Sequence, residues 1–259
     1  MIVVTAPTSN IGRQVLERLL ASDAAFAGAN TVFWLVPPNP RAETVEAAYV
    51  DFTAPAARAF IRHDVKRVVG ISALGRGTPQ ASRAGLVTGS LAMDDLIART
   101  GVAYRAVTCP SFMDNLLRQV DAIRNRGTFF SPIDGDRKLP TCATRDIAAV
   151  AARLLLDTSW TGAGESAVLG PEDLSFTDMA RLMTDALGRP VRFQQTSFDA
   201  YKAQFVARGM SESMAQAMTD MASAKNEGLD NAERRTPENT TPTRFETWCE
   251  EVLKPTVLA

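Results

Sequence analysis

Two kinds of apolar pattern alternate along the first two thirds of the chain. Short apolar runs predict buried strands over Ile2–Thr5, Thr31–Val36, Arg67–Ser72, Ala103–Thr108 and Ala167–Leu169. Between them apolar residues recur every three or four positions, which predicts helices over Ile11–Phe26, Arg41–Arg62, Leu86–Thr100, Phe112–Asn125 and Thr144–Leu156. Asp23 and Gly28 interrupt the pattern where the first helix ends. Strand–helix–strand alternation of this kind builds a mostly parallel sheet with helices on both faces.

The pattern changes after Gly170. Ser175–Leu187 predicts a helix that ends at Gly188, just before Pro190. A strand at Val191–Gln195 and helices at Phe198–Arg208 and Ser211–Lys225 follow. The polar stretch Asn226–Thr243, with Pro237 and Pro242, predicts an irregular connection, and Thr243–Leu253 a last helix. The expected fold is therefore α/β: a Rossmann-like, mostly parallel sheet over residues 1–170 and a small, mostly helical lobe over 171–259. The two interleave as one structural unit.

Composition narrows the function classes. With 46% hydrophobic and 22% charged residues the chain has the make-up of a soluble globular protein. A net charge of -1 gives no basic surface for nucleic acid or for an anionic membrane. No segment approaches the roughly 20 apolar residues that span a bilayer. The sequence opens on an apolar strand with no basic region before it, so no signal peptide is expected and a cytoplasmic location is. The 3 cysteines, Cys109, Cys142 and Cys249, are widely spaced, and His63 is the 1 histidine; neither a disulfide framework nor a metal site is expected.

The candidate chemistry begins at the first turn. Thr5-Ala6-Pro7-Thr8-Ser9-Asn10-Ile11-Gly12 joins a strand to a helix, where glycines in a dinucleotide-binding loop would allow a tight turn and close approach to a pyrophosphate. Only the third glycine, Gly12, is present; Ala6 and Ser9 stand at the other two positions. A Cβ disfavours the positive φ that glycine permits. Two readings stay open: a weak phosphate cradle, or a plain strand-to-helix turn capped by Ser9 or Asn10.

That turn, together with Val32-Phe33-Trp34-Leu35-Val36-Pro37, Ile71-Ser72-Ala73-Leu74-Gly75, Cys109-Pro110-Ser111-Phe112-Met113-Asp114-Asn115-Leu116-Leu117 and Thr144-Arg145-Asp146-Ile147-Ala148, resembles the NmrA-like group of atypical short-chain dehydrogenases/reductases. The resemblance implies an NAD(P)-binding Rossmann fold and reduction of quinones or other small molecules, although the group also contains regulators without turnover. It implies cofactor contacts at Thr8, Ser9, Asn10, Ile11, Gly12, Pro37 and Ser72, and substrate contacts at Pro110, Ser111, Phe112, Met113 and Asn115. Ser72 is the candidate catalytic residue.

Several departures weaken the catalytic expectation. The Tyr-x-x-x-Lys pair of ordinary short-chain dehydrogenases is absent, and Ser90 stands about where some reductases of the group carry a lysine. No proton donor is therefore evident. The resemblance also implies two further strands between the first helix and Thr31–Val36, and here the chain runs almost directly from one to the other. Their loss would remove half of the adenosine pocket. Because parallel crossovers are right-handed in almost all cases, the shortened connection leaves four outcomes. The first helix changes face, the strand order is new, a second copy completes the sheet as a homodimer, or the sequence is closed over an absent segment.

The expected function is binding of an aromatic or quinone-like small molecule by a protein derived from NAD(P)-dependent oxidoreductases, with NAD(P) affinity weakened or lost. Whether the chain is an enzyme stays open; if it turns over, the resemblance implies an NAD(P)H-dependent oxidoreductase. A non-catalytic regulator or partner-binding protein is one alternative, and a cofactor-independent cyclase, isomerase or lyase another. Met210, Met214, Met218 and Met221 recur at helical spacing and read first as core, second as a lid over an apolar ligand.

Overall fold

The computed structural model describes residues 2–6, 9–20 and 31–259. In chain order the elements are β1 (Ile2–Val4), α1 (Asn10–Leu20), β2 (Thr31–Trp34), α2 (Phe52–Arg62), β3 (Arg67–Ala73), α3 (Leu86–Ala98), β4 (Ala103–Cys109) and β5 (Ser111–Phe112). There follow α4 (Val120–Arg126), β6 (Thr128–Ser131), β7 (Leu139–Cys142), α5 (Thr144–Leu156), β8 (Ala163–Ala167) and β9 (Asp173–Leu174). The chain ends with α6 (Phe176–Leu187), β10 (Arg192–Gln195), α7 (Phe198–Ala207), α8 (Glu212–Asn226), α9 (Phe245–Trp248) and α10 (Lys254–Leu258). The predicted first helix beyond Leu20 lies outside the described residues.

Five strands form a parallel sheet in the order β1-β2-β3-β4-β8. Side chains alternate across it with period two. Phe33, Val69 and Val107 turn to one face, where they pack with Ile11 and Val15 of α1 and Ala148 and Ala151 of α5. Val32, Trp34, Val68 and Tyr104 turn to the other, against Phe60 of α2 and Met93 and Ile97 of α3. Burial on both faces is why these strands read as continuous apolar runs.

The steps from β1 to β2, β2 to β3 and β3 to β4 all move the same way across the sheet. Yet α1 lies on the α5 face, whereas α2 and α3 lie on the opposite one. Of the outcomes set by the sequence, α1 has not changed face and the strands follow one another in simple order. What holds α1 in place is its packing on α5, reinforced by Asn10 and Gln14 side chains that each donate to Thr144 Oγ1 at 3.2 Å.

A second apolar core lies beyond the carboxyl edge of the sheet. Trp248, Phe245, Met183, Phe129 and Ile123 are at its centre. It combines residues from Met113–Ala143 with residues from Leu174 onward, because β6 pairs with β10 and β7 pairs with both β5 and β9. The predicted helix α6 is framed as its sequence implies. Ser175 and Asp178 form a reciprocal capping box, and Gly188 ends the helix at a φ of 65°.

Three predicted elements have different limits. Pro37, Pro38 and Pro40 keep the segment after β2 out of a helix; helical structure starts near Thr44, whose Oγ1 accepts from Ala47 N at 3.0 Å, and passes through a wide turn at Ala47–Asp51 before α2. The expected helix Phe112–Asn125 is divided into β5, a 3-10 segment Met113–Gln119 and α4, since Ser111 O is held by Thr141 Oγ1 at 2.8 Å. The last sheet strand ends at Ala167, and Leu169 pairs instead with the segment around Thr240. The short strands β5, β6, β7 and β9 are too brief to show a period.

Because both cores share the connections β4–β5, β7–α5 and β8–β9, the chain is expected to unfold in one cooperative transition. Trp248→Ala should lower the unfolding free energy in urea by about 3–5 kcal/mol and move the whole transition. A first transition that leaves the sheet intact would contradict this.

Candidate functional site

The carboxyl ends of β1 to β4 meet at one edge, where open α/β sheets bind ligands. At the first turn Ser9 caps α1, its Oγ accepting from Gly12 N at 3.0 Å. Ala6 takes a φ of 48°, the left-handed conformation that glycine would adopt without strain. Gly12 is required by packing, since a Cβ there would stand 2.1 Å from Ala6 O. The Asn10 amide turns away from the turn and donates to Asp114 Oδ1 at 3.1 Å. Ile11 is buried in the sheet core. Thr8 lies outside the described residues. The plain capped turn is thus the reading that the local hydrogen bonds favour.

The other predicted contacts divide. Pro37 is exposed just beyond β2. Ser111 and Phe112 are half-buried in β5 at the carboxyl edge, Pro110 is buried before them, and Asn115 is exposed. Met113 is buried in the lobe core. Asp114 serves α5, accepting from Thr144 N at 3.1 Å and Thr144 Oγ1 at 2.8 Å. Asp146 anchors the distant segment at Thr243 through N and Oγ1, at 3.1 and 2.8 Å.

α8 covers the edge. Its N-cap, Ser211, donates through N to Pro40 O at 2.9 Å and through Oγ to Ala42 O at 2.7 Å. Met214 is buried with Ala42 and Ala48, with Met210 and Leu86 packed against them. Leu229, just after α8, packs on Ala84 and Val87 beside Ala73 and Met221. Of the methionine stripe, Met214 is buried, Met210 and Met221 pack half-buried against these clusters, and Met218 is half-buried.

Ser72 belongs to a polar network that the sequence did not announce. Its Oγ hydrogen-bonds Asp94 Oδ2 and lies 3.1 Å from Ser90 Oγ, and Tyr104 OH donates to Asp94 Oδ1 at 2.5 Å. All four side chains are buried between the sheet and α3. Gly70 makes room for the phenol, as a Cβ there would meet Tyr104 OH at 2.4 Å. Arg76 reaches in from the surface, with NH2 3.7 Å from Asp94 Oδ2, while it also binds Glu165 at 2.5 Å and Asp95 at 2.8 Å. The one signal in the sequence was the i, i+4 spacing of Ser90 and Asp94 on a single helix face.

Burial pushes the Asp94 carboxyl up to about 6, against the lowering effect of the Ser72 and Tyr104 hydrogen bonds and of Arg76. Burial and the adjacent Asp94 raise the Tyr104 phenol well above its usual range. Cys142, fully buried next to Cys109, is likewise pushed well up, so it persists as a thiol rather than a reactive thiolate. His63 is an exposed residue at the end of α2. Among the described residues no group of three His, Cys, Asp or Glu could hold a metal ion, and no helix is long and apolar enough to cross a membrane.

Two outcomes follow from this geometry. Because the folded carboxyl binds its proton more tightly than the unfolded one, Asp94 lowers stability as pH rises from about 4 to about 7, by about 3 kcal/mol in total. Urea unfolding across that range should show the difference between the protein and Asp94→Asn changing by this order; parallel curves would refute it. Ala6→Gly should relieve the left-handed strain and raise the unfolding free energy by up to about 1 kcal/mol. An unchanged or lower urea midpoint would count against strain at this turn.

Residues 97–250 match the NmrA-like family. Over 198 residues the chain is 30% identical to the NAD(P)H azoreductase of Xenophilus azovorans, covering 76% of this chain and 65% of that enzyme. In three dimensions it resembles the Citrobacter triphenylmethane reductase solved with NADP(H), at a TM-score of 0.75 and 16% identity over 99% of both chains. It also resembles the Escherichia coli NADPH-dependent quinone oxidoreductase QOR2 solved with NADPH, at a TM-score of 0.70 and 19% identity over 88% of this chain and 90% of that one. At these identities the two structures speak for a shared Rossmann-like fold, and the matched residues assign the lineage: this chain belongs to the NmrA-like family.

Proposed function

We propose that this chain binds aromatic or quinone-like small molecules in the carboxyl-edge cleft, and that its affinity for NAD(P) is weakened or lost. The observation that carries the reading is the position of β1. It pairs with β2 on one side, and among the described residues no strand pairs with the other side. In a dinucleotide-binding fold that side carries the strand whose end reads the adenosine ribose. The pyrophosphate end is compromised too, because the Gly12 N–H that a phosphate oxygen would take is occupied by Ser9 Oγ. The residues present therefore do not fit the adenosine half of the cofactor.

The ligand class is supported by what remains at the edge. Ser72 lies near the end of β3, which pairs with β4, and Ser111 and Phe112 follow the end of β4, so all three stand toward the carboxyl edge where ligands of such sheets bind. Kinship with an azoreductase, and a fold shared with a quinone oxidoreductase, favour flat conjugated ligands over sugars or peptides.

Isothermal titration with NADPH tests the cofactor part. No saturation is expected below about 1 mM, equivalent to a binding free energy weaker than about 4 kcal/mol. A Kd in the micromolar range would overturn the claim.

A further inference from the structure

We propose a second ligand site, separate from the carboxyl-edge cleft. The cavity between α3, α8 and the segment 45–50 binds a small amphipathic ammonium ion, an apolar body that carries positively charged N–H donors. The cavity holds about 590 Å³, a volume typical of small-molecule sites. None of Ser72, Ser111 and Phe112 lines it, so this site does not depend on the reading of the cleft.

Two close approaches shape the space. Ala217 O of α8 comes so near the start of α3 that a Cβ on Gly85 would stand 2.0 Å from it. Val45 comes so near Gly89 that a Cβ there would stand 2.4 Å from its Cγ1. Both flanking elements are thus seated on one face of α3, where residues three and four apart are neighbours. Ala92 follows on that face and also lines the cavity. Its methyl leaves the floor low, where a longer side chain would fill the space. Val45 and Val50 supply apolar wall for the body of a ligand.

The polar groups on the wall select the charge. Glu46 and Asp220 both line the cavity, Glu46 at its exposed rim and Asp220 half-buried. Asp220 accepts from the neutral Gln216 amide at 2.7 Å, and neither carboxylate has a cationic partner among the described residues. The one cation on the wall is Arg83. It is held by both oxygens of Glu227, with NH1 3.1 Å from Oε1 and NH2 2.5 Å from Oε2, so its charge is already matched. Thr88 Oγ1 is engaged both ways, accepting from Ala84 N at 3.0 Å and donating to Ala81 O at 2.7 Å. Ser223 Oγ turns its proton toward Glu227 Oε1 at 3.5 Å and keeps lone pairs to offer. The wall therefore presents acceptors and unmatched negative charge, with no uncommitted cationic donor. An anion would meet two carboxylates, and a neutral hydrocarbon would cover them without pairing them. An ammonium group answers both, while its apolar body rests on Val45, Val50 and Ala92.

Three probes with one ring system and different charges test the site: 1-naphthylmethylammonium, 1-naphthylmethanol and 1-naphthylacetate. Each is titrated into the protein and followed by backbone amide chemical shifts. The ammonium should bind at least about tenfold more tightly than the alcohol, the size of one charge-assisted hydrogen bond, and the acetate should not saturate. The shifts should centre on Gly89, Ala92, Asp220 and Ser223. Asp220→Asn should weaken the ammonium about tenfold, and Glu46→Gln only about two- to threefold because that carboxylate is solvated. Ala92→Leu should abolish binding by filling the floor. The amide spectrum away from the cavity reports whether each variant is folded. Equal affinity for ammonium and alcohol, or undiminished affinity in Asp220→Asn, would overturn the proposal. Shifts centred on Ser72, Ser111 and Phe112 would place the cation in the carboxyl-edge cleft and overturn it as well.

Discussion

The arrangement of this molecule depends on the grip of α5 on α1. Ile11 and Val15 are buried against Ala148 and Ala151 over the strand residues Phe33, Val69 and Val107, and polar ties from Asn10 and Gln14 close the N-terminal end of the contact. That single interface fixes where the first turn lies relative to the carboxyl ends of the other strands.

Keeping α1 in place preserves the geometry of the first turn while altering its chemistry. Ala6 still adopts the backbone conformation of the missing glycine, and Gly12 still lets the helix approach the strand. What has changed is who satisfies the helix terminus: a hydroxyl from within the chain does so through Ser9. Deeper in the sheet, two serines and a buried carboxyl are joined in one hydrogen-bond network within reach of one partly solvated arginine.

Much of the fold was legible because strands buried on both faces and amphipathic helices have different periods. The strands Arg67–Ala73 and Ala103–Cys109 and the helices Thr144–Leu156 and Phe176–Leu187 follow directly from pattern and caps. The short pairings β5–β7–β9 and β6–β10 did not, since they join residues far apart in the chain through a handful of backbone bonds. The site was only half legible. Ser72 and Ser90 could be placed by position, but nothing local in the sequence distinguishes Asp94 from the adjacent Asp95. Burial separates them: Asp94 is on the buried side of α3, turned to the sheet, while Asp95 meets Arg76 on the outside.

The way the second core is threaded sets how the cleft can breathe. Chain segments pass between sheet and lobe at β4–β5, at β7–α5 and at β8–β9, and Leu169 is stitched to the strand-like segment near Thr240. A clamshell rotation of one core against the other would have to bend all of these together. α8 is tied at its leading end through the two Ser211 hydrogen bonds, the Lys202–Glu212 ion pair and the side chain of Met214. The carboxyl edge is thus held in one outline by several chain crossings at once.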